Sequence, residues 1–101
     1  MIKVFISQPM KDRADGQIKA EREEITKLLK LIYNSDIYVI DSFFEKAPYD
    51  AKPLWFLGKS IQLLSDADII YLAKGWKDSR GCRIEYECAK AYDIYIMDGE
   101  S

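Results

Sequence analysis

The segment Ser79–Glu85 combines a hydroxyl, two guanidinium groups and a carboxylate within seven residues. It spans the end of a polar loop and the start of a predicted helix, where free backbone N–H groups bind phosphate readily. Glu85 then falls in the first turn of that helix and faces the same crevice. The competing interpretation is that Glu85 and Glu87 are solvent-exposed acids favoured by the helix dipole, and composition alone favours that second interpretation.

The residues that follow the first predicted strand form another candidate for anion binding, through their backbone amides: Ser7, Gln8, Pro9, Met10 and Lys11. The next glycine is Gly16, so this loop is neither a P-loop nor a GxGxxG fingerprint. Taken alone, the loop is better interpreted as an ordinary connecting turn.

The loop from Asp41 to Lys52 carries many aromatic residues, among them Phe43 and Phe44, and Trp55 follows it. Together with Trp76 these rings could stack on a flat base, which contributes ~1–3 kcal/mol per base. A small core and a dimer interface also favour aromatic residues, so both interpretations stay open.

The chain contains no histidine. This excludes Ser-His-Asp and Cys-His catalysis, HExxH zinc sites and any imidazole acid or base. Chemistry must then use carboxylates, Tyr, Lys, Cys or backbone amides, and no metal or organic cofactor is predicted. Cys82 and Cys88 form neither a CxxC motif nor an expected disulfide, which is typical of the reducing cytoplasm.

Charge and hydropathy narrow the classes of partner. With 15 basic and 17 acidic residues the net charge is −2, so we expect no nucleic-acid polymer as a partner. No run of apolar residues is long enough to cross a membrane, and the first residues do not resemble a signal peptide. Because a chain of 101 residues builds only a modest core, association with a second copy is expected.

The order of predicted elements is β1-α1-β2-α2-β3-α3-β4. The strands are expected at Val4–Ile6, Ile37–Ile40, Ile69–Ala73 and Ile94–Met97, and the helices from about Asp15, from Pro53 and from Cys82 to Tyr92. In α1 the apolar stripe comprises Ile18, Ile25, Leu28, Leu29 and Ile32, with Asp15 as N-cap; in α2 it comprises Leu54, Leu57, Ile61 and Leu64.

This alternation of strand and helix predicts one α/β domain over residues 1–101. Its fold is a small doubly wound, flavodoxin- or Rossmann-like three-layer sandwich with a four-stranded, mostly parallel sheet. Ligands of such folds bind at the carboxyl ends of the strands. That rule selects three segments, Ser7–Lys11, Asp41–Tyr49 and Lys74–Glu85.

Four segments of the chain resemble a known family: Lys3–Met10, Ala67–Ile70, Gly75–Trp76 and Ser79–Glu85 with Ala89 after it. They are similar to the nucleoside 2-deoxyribosyltransferase-like superfamily, which includes 2'-deoxynucleoside 5'-phosphate N-hydrolases and short phage and bacterial proteins. The resemblance covers nearly the whole chain in the same element order.

The resemblance implies N-glycosidic cleavage or transfer on a nucleoside or its 5'-monophosphate, with Glu85 as the nucleophile. It implies that Ser79, Arg80, Gly81 and the Ser7–Lys11 loop hold the 5'-phosphate. We expect the base pocket to be formed by the loop Phe43–Tyr49, above all Phe43 and Phe44, together with Asp41, Gly75 and Trp76. A proton for the departing base is expected from Asp78 or Asp41.

The chain departs from the family pattern at two supporting positions. Phe5 stands where a tyrosine usually hydrogen-bonds the nucleophile, and Ser60 stands where an aspartate is typical. The transferases also carry an aspartate at the position of Ser79. These departures motivate a second hypothesis, a protein that binds a nucleotide or nucleotide-derived signal without cleaving it. A third is an interaction module whose aromatic residues form only an interface.

Overall fold

A computed structural model describes residues 1–44 and 47–100 and confirms the predicted alternation of strands and helices. The strands are β1 (Ile2–Ser7), β2 (Ile37–Val39), β3 (Ile69–Leu72) and β4 (Tyr95–Asp98). The helices are α1 (Asp15–Ile32), α2 (Pro53–Leu64) and α3 (Arg80–Ala91), with a short 3-10 helix at Trp76–Asp78.

The four strands form one sheet in the order β2-β1-β3-β4, and every pair is parallel. The predicted doubly wound sandwich is therefore confirmed, with an entirely parallel sheet. Short apolar strands suit this arrangement because helices cover both faces of a parallel sheet. The strand order reverses at β1, which pairs with β2 on one side and with β3 on the other.

Side chains alternate between two cores, one on each face of the sheet. Ile25 and Leu29 of α1 pack on one face against strand residues that include Val4 and Ile6. On the other face the buried residues include members of both remaining helices and of strands β1 and β3: Phe5, Leu64, Ile70, Leu72, Cys82 and Ala89. Because each helix follows a strand of a parallel sheet, the N-termini of α2 and α3 lie near the carboxyl ends of the strands, and both helices share this second face.

Two details of α1 differ from the sequence prediction. The N-cap of α1 is Ala14, whose N–H donates to the Gln17 side chain, and Asp15 is the first helical residue. Leu28 and Ile32 are 45% and 51% exposed, because only the narrower stripe containing Ile18, Ile25 and Leu29 is buried against the sheet.

Leu54 is 75% exposed, since it lies in the first turn of α2, at the mouth of a cavity. α3 begins at Arg80, two residues before its predicted start. No helix in the two described ranges is long and apolar enough to cross a bilayer.

Candidate functional site

A cavity of about 880 Å³ opens at the carboxyl end of β1, between the N-termini of α2 and α3. Its apolar wall contains Phe5, Ile6, Phe44, Phe56, Leu57 and Ile84. Its polar groups include Ser42, Ser60, Ser79 and Glu85, and its cations are Lys11, Lys52 and Arg80. The cavity lies where the fold rule places ligands, beside the point at which the strand order reverses.

Glu85 is a buried carboxylate on this cavity, with only 7% of its surface exposed. It lies on the same stripe of α3 as Cys82 and Ala89, at helical spacings of three and four residues, and all three are buried. That stripe packs against the sheet, so Glu85 is carried inward with it. The interpretation of Glu85 as a solvent-exposed helix acid is therefore wrong.

The Ser7 hydroxyl donates a hydrogen bond to Oε1 of Glu85 at 2.6 Å. Ser7 is 1% exposed and is the last residue of β1. Burial raises the pKa of Glu85, while hydrogen bonds from Ser7 and from Ser60 on α2 act in the opposite direction. Two hydroxyls, one from β1 and one from α2, therefore stabilise the ionised form of a desolvated carboxylate.

The start of α3 is capped by the Ser79 side chain, which accepts a hydrogen bond from the Cys82 backbone N–H at 3.3 Å. The first turn of α3 carries no acidic residue, so its positive dipole end is not neutralised locally. Ser79, Arg80 and Gly81 all line the cavity, as the sequence predicted for a phosphate-binding corner.

The predicted first-loop residues separate into different roles. Met10 and Lys11 line the cavity, whereas the Ser7 side chain is directed to Glu85. Gln8 lines the cavity, but its Nε2 donates hydrogen bonds to the Ile18 carbonyl and to Glu21. Its amide nitrogen therefore binds α1.

Pro9 lies outside the residues that line the cavity, and its carbonyl accepts from Arg13. Only part of the predicted phosphate loop is therefore available to a ligand in this cavity.

The predicted base pocket is brought together only in part. Phe44 lines the cavity, but Asp41 and Phe43 line a neighbouring one of about 600 Å³ with Arg22. The wider predicted loop Phe43–Tyr49 contains Glu45 and Lys46, which are outside the described residues.

Trp76 and Gly75 do not line the cavity, contrary to the prediction. Gly75 adopts a left-handed conformation, φ +87°, and this turn directs Trp76 inward. The Trp76 ring packs on Tyr86 at 4.9 Å between centroids, and its Nε1 donates to Asp98. The ring therefore belongs to the core beneath α3.

Asp78 is exposed on the short 3-10 helix and does not line the cavity either. The structure therefore brings neither Asp78 nor Asp41, the two expected proton donors, to Glu85. Within the part of the chain that the structure describes, Glu85 is the only carboxylate on the cavity wall.

Cavity residues for which the sequence predicts no ligand-binding role include Lys52, Phe56 and Leu57. Ser60 had been noted only as a departure from the family pattern. Its signal in the sequence is a polar residue at helical spacing from Phe56 and Leu57. Ser7 and Glu85 are 78 positions apart, and no sequence pattern indicates their contact.

Arg22 ties α1 to the loop after β2. It donates to the Ile40 carbonyl at 3.3 Å and to the Ser42 hydroxyl at 3.2 Å. Burial lowers the pKa of the Arg22 guanidinium, and the nearby Asp41 opposes that shift. These contacts fix Ser42 on the cavity wall.

Within residues 1–44 and 47–100, no group of three or more His, Cys, Asp or Glu side chains is placed to hold a metal ion. Both cysteines are free thiols. Cys82 is buried on the cavity wall, and burial raises the pKa of its thiol, against the effect of the Ser7 and Ser79 hydroxyls.

The curated relatives of the chain include proteins named chaperone protein HtpG from two Bacteroides species. The protein from Bacteroides thetaiotaomicron is 26% identical over 114 residues, and that from Bacteroides fragilis strain 638R is 30% identical over the same length. Each alignment covers 98% of this chain and 17% of the relative. The chain therefore spans only about a sixth of the length of these relatives.

A family match covers most of the chain, from residue 2 to residue 98. It includes every strand and helix described above, as well as Ser7, Ser60, Ser79 and Glu85. The chain belongs to the family described as "Domain of unknown function (DUF4406)".

Proposed function

We propose that this protein cleaves or transfers the N-glycosidic bond of a nucleoside or nucleoside 5'-monophosphate, with Glu85 as the nucleophile. The observation that carries the proposal is the buried Glu85 carboxylate, held by Ser7 at 2.6 Å on the wall of a cavity of nucleotide size. A structural carboxylate has little reason to be desolvated beside an open cavity, since burial penalises its charged form. Perturbed carboxylates of this kind are typical of functional sites.

The proposed reaction has two displacements at the anomeric carbon. A carboxylate oxygen of Glu85 attacks that carbon, the bond to the base breaks, and its electron pair leaves with the base. Water or an acceptor base then displaces the sugar from Glu85, restoring the carboxylate with overall retention of configuration. No metal or organic cofactor enters either step of the proposal.

The walls of the cavity support a nucleotide in one orientation. Arg80, Lys11 and the start of α3 offer a positive environment for the 5'-phosphate. Phe44 and Phe56, whose ring centroids are 6.3 Å apart, offer apolar surface for the base. Glu85 lies on the same wall as both groups of residues, where the sugar would bind.

Ser7 supplies the hydrogen bond to Glu85 that the family resemblance assigns to a tyrosine, and Ser60, at the position of the typical aspartate, acts on the same carboxylate. The position of the tyrosine is occupied by Phe5, which is 1% exposed and lines the cavity as an apolar wall. We therefore assign to Ser7 the positioning of Glu85, with Ser60 beside it.

A second proposal is a protein that binds a nucleotide without cleaving it. It is favoured by one observation, the placement of Asp41 and Asp78 away from the cavity that contains Glu85. A binding protein needs the positive environment at the start of α3 and the apolar surface of Phe44 and Phe56, but it does not need an ionised Glu85.

The test is release of free base from a panel of ribo- and deoxynucleosides and their 5'-monophosphates, followed by chromatography. We expect release by the wild type and its loss in Glu85→Gln, which keeps the size of the side chain. The matched control is Glu87→Gln, an exposed acid of the same helix that lies off the cavity, which should retain full activity.

The outcomes separate the two proposals. Release that depends on an added base indicates transfer, whereas release into water indicates hydrolysis. Equal release by the wild type and Glu85→Gln would overturn the role of Glu85. Binding of a nucleotide without release by any variant would favour the binding protein.

A further inference from the structure

The buried carboxylate of Glu85 has hydroxyl partners and no counter-charge. Ser7 donates to it, Ser60 acts on it from α2, and none of the ion pairs among the described residues includes it. The charged side chains of the cavity, Lys11, Lys52 and Arg80, are all exposed. Removal of a carboxylate from water is costly unless an opposite charge compensates it, so a ligand with a positive charge would complete the site.

The apolar wall of the cavity is suited to a flat cation. Phe5, Phe44 and Phe56 all line it, and the faces of phenylalanine rings attract planar and ammonium cations. A positively charged heteroaromatic ring would therefore meet aromatic surface on one side and the Glu85 carboxylate near its glycosidic bond.

The groups that could protonate a departing base point to the same class of ligand. Apart from the exposed cations, the described wall offers serine hydroxyls and the Cys82 thiol, whose pKa burial raises. These are weak acids compared with a carboxylic acid. A neutral base that leaves as an anion needs a proton, whereas a positively charged base leaves as a neutral molecule without one.

We propose that the substrates are 5'-phosphorylated N-glycosides of a positively charged heteroaromatic base, such as a pyridinium or an N-alkylated purine. The inference rests on the proposed function and narrows its substrate class. Glu85 forms a bond to the anomeric carbon, the carbon–nitrogen bond breaks, and its electron pair neutralises the ring nitrogen. Water then releases the sugar phosphate, and the proton it leaves passes to solvent as the carboxylate is restored.

The first test compares two nucleotides that differ by one methyl group and one charge. N7-methylguanosine 5'-monophosphate should lose its base at least about a hundredfold faster than guanosine 5'-monophosphate, which corresponds to ~2.7 kcal/mol of barrier. Nicotinamide mononucleotide should also release its base. The matched variant Glu87→Gln, whose exposed side chain lies off the cavity, should leave this ratio unchanged.

The second test measures recognition of the charge without catalysis. By calorimetry, 1-methylnicotinamide should bind the wild type about tenfold more tightly than nicotinamide, a difference of ~1.4 kcal/mol. The preference should disappear in Glu85→Gln and persist in Glu87→Gln. Circular dichroism and thermal unfolding of Glu85→Gln check that the variant is folded.

The two tests distinguish failure of this inference from failure of the proposed function. Comparable release from guanosine 5'-monophosphate and its N7-methyl derivative overturns the inference and leaves the glycosidic chemistry in place. A preference for 1-methylnicotinamide with no base release supports recognition of a cation and overturns catalysis. No release together with no preference overturns both.

Discussion

At the scale of single residues, the site depends on how Glu85 is ionised inside the protein. Ser7 hydrogen-bonds its carboxylate at 2.6 Å, and burial raises its pKa. A nucleophilic carboxylate must be ionised, so the hydroxyls of Ser7 and Ser60 oppose the effect of burial in the direction that the chemistry requires. The family resemblance singles out Glu85, which lines the cavity, but does not indicate these two partners.

The raised pKa of Glu85 makes the stability of the protein depend on pH. Below the ordinary pKa of a glutamate, about 4.3, Glu85 is protonated in both the folded and the unfolded state. As pH rises from the unfolded to the folded pKa, the unfolded state loses its proton while the folded state still holds it, so the free energy of unfolding falls until the pH passes the folded pKa. Each unit by which the folded pKa exceeds the unfolded one lowers the free energy of unfolding by about 1.4 kcal/mol at a pH above both values.

We therefore expect Glu85→Gln to be more stable than the wild type at neutral pH and to lose that advantage in acid. Urea unfolding at a series of pH values measures the difference directly. Glu87→Gln should give a difference that is nearly independent of pH, because Glu87 is exposed. A flat difference for Glu85→Gln would show that Glu85 is not held in a desolvated environment.

Ser7→Ala tests the hydrogen bond itself. We expect it to destabilise the wild type by about 1.5–3 kcal/mol at neutral pH, the range for hydrogen bonds to charged groups. The effect should be smaller in the Glu85→Gln background, since that bond is between neutral groups. A double-mutant cycle on unfolding free energies gives the coupling. Additive effects of the two substitutions would mean that Ser7 and Glu85 do not interact.

At the scale of secondary structure elements, the starts of α2 and α3 define the mouth of the site. α3 begins with a serine cap and no acid in its first turn, and α2 begins with Pro53 after Lys52, again with no acid in its first turn. Because no acid neutralises the N-terminal end of either helix dipole, the electrostatic potential at the cavity mouth is positive. The same elements explain why Leu54 is exposed, since it lies at the cavity mouth rather than over the sheet.

Two substitutions at Ser79 separate capping from ligand binding. Ser79→Ala should destabilise the protein by about 1 kcal/mol through loss of the cap. Ser79→Asp should keep the cap but weaken binding of a 5'-monophosphate about tenfold or more, since like charges at a binding site repel. Thermal unfolding and KM measured side by side check both expectations. Unchanged KM in Ser79→Asp would place the phosphate elsewhere.

The positions of elements were predictable from the sequence to a greater extent than the directions of loop side chains. The apolar run Val4–Ile6 determines a strand locally, and that prediction agrees with the structure. The favoured interpretation of Glu85 as an exposed acid is wrong, because Glu85 shares the buried face of α3 with Cys82 and Ala89. Trp76 was misplaced because its direction depends on the left-handed backbone of Gly75. The contact of Ser7 with Glu85 depends on the packing of β1 against α3, which no local pattern specifies.

At the scale of the whole molecule, the all-parallel order β2-β1-β3-β4 places the cavity beside the reversal point of the sheet. Hydrogen bonds also join the segment after β3 to the end of β4 and the residues that follow it. Trp76 donates to Asp98, and the Gly75 N–H donates to Glu100. Gly99 fits only without a side chain, because a Cβ would lie 2.5 Å from the Tyr71 hydroxyl.

The homodimer and the cytoplasmic location remain predictions from the sequence. Since a chain of 101 residues buries a limited core, we expect sedimentation to give twice the chain mass of 11.7 kDa. Addition of a nucleotide that binds should stabilise the folded protein against heat, whatever its state of association. A monomer over the full concentration range would contradict the prediction of a dimer.

The central claim, that Glu85 carries the sugar during the reaction, is tested most directly by mass spectrometry of the acid-quenched protein. The wild type is mixed with a 5'-monophosphate that it cleaves and is then digested. Our account predicts a sugar phosphate attached to the peptide containing Glu85, and its absence in Glu85→Gln. A sugar phosphate on another residue, or continued base release by Glu85→Gln, would contradict it.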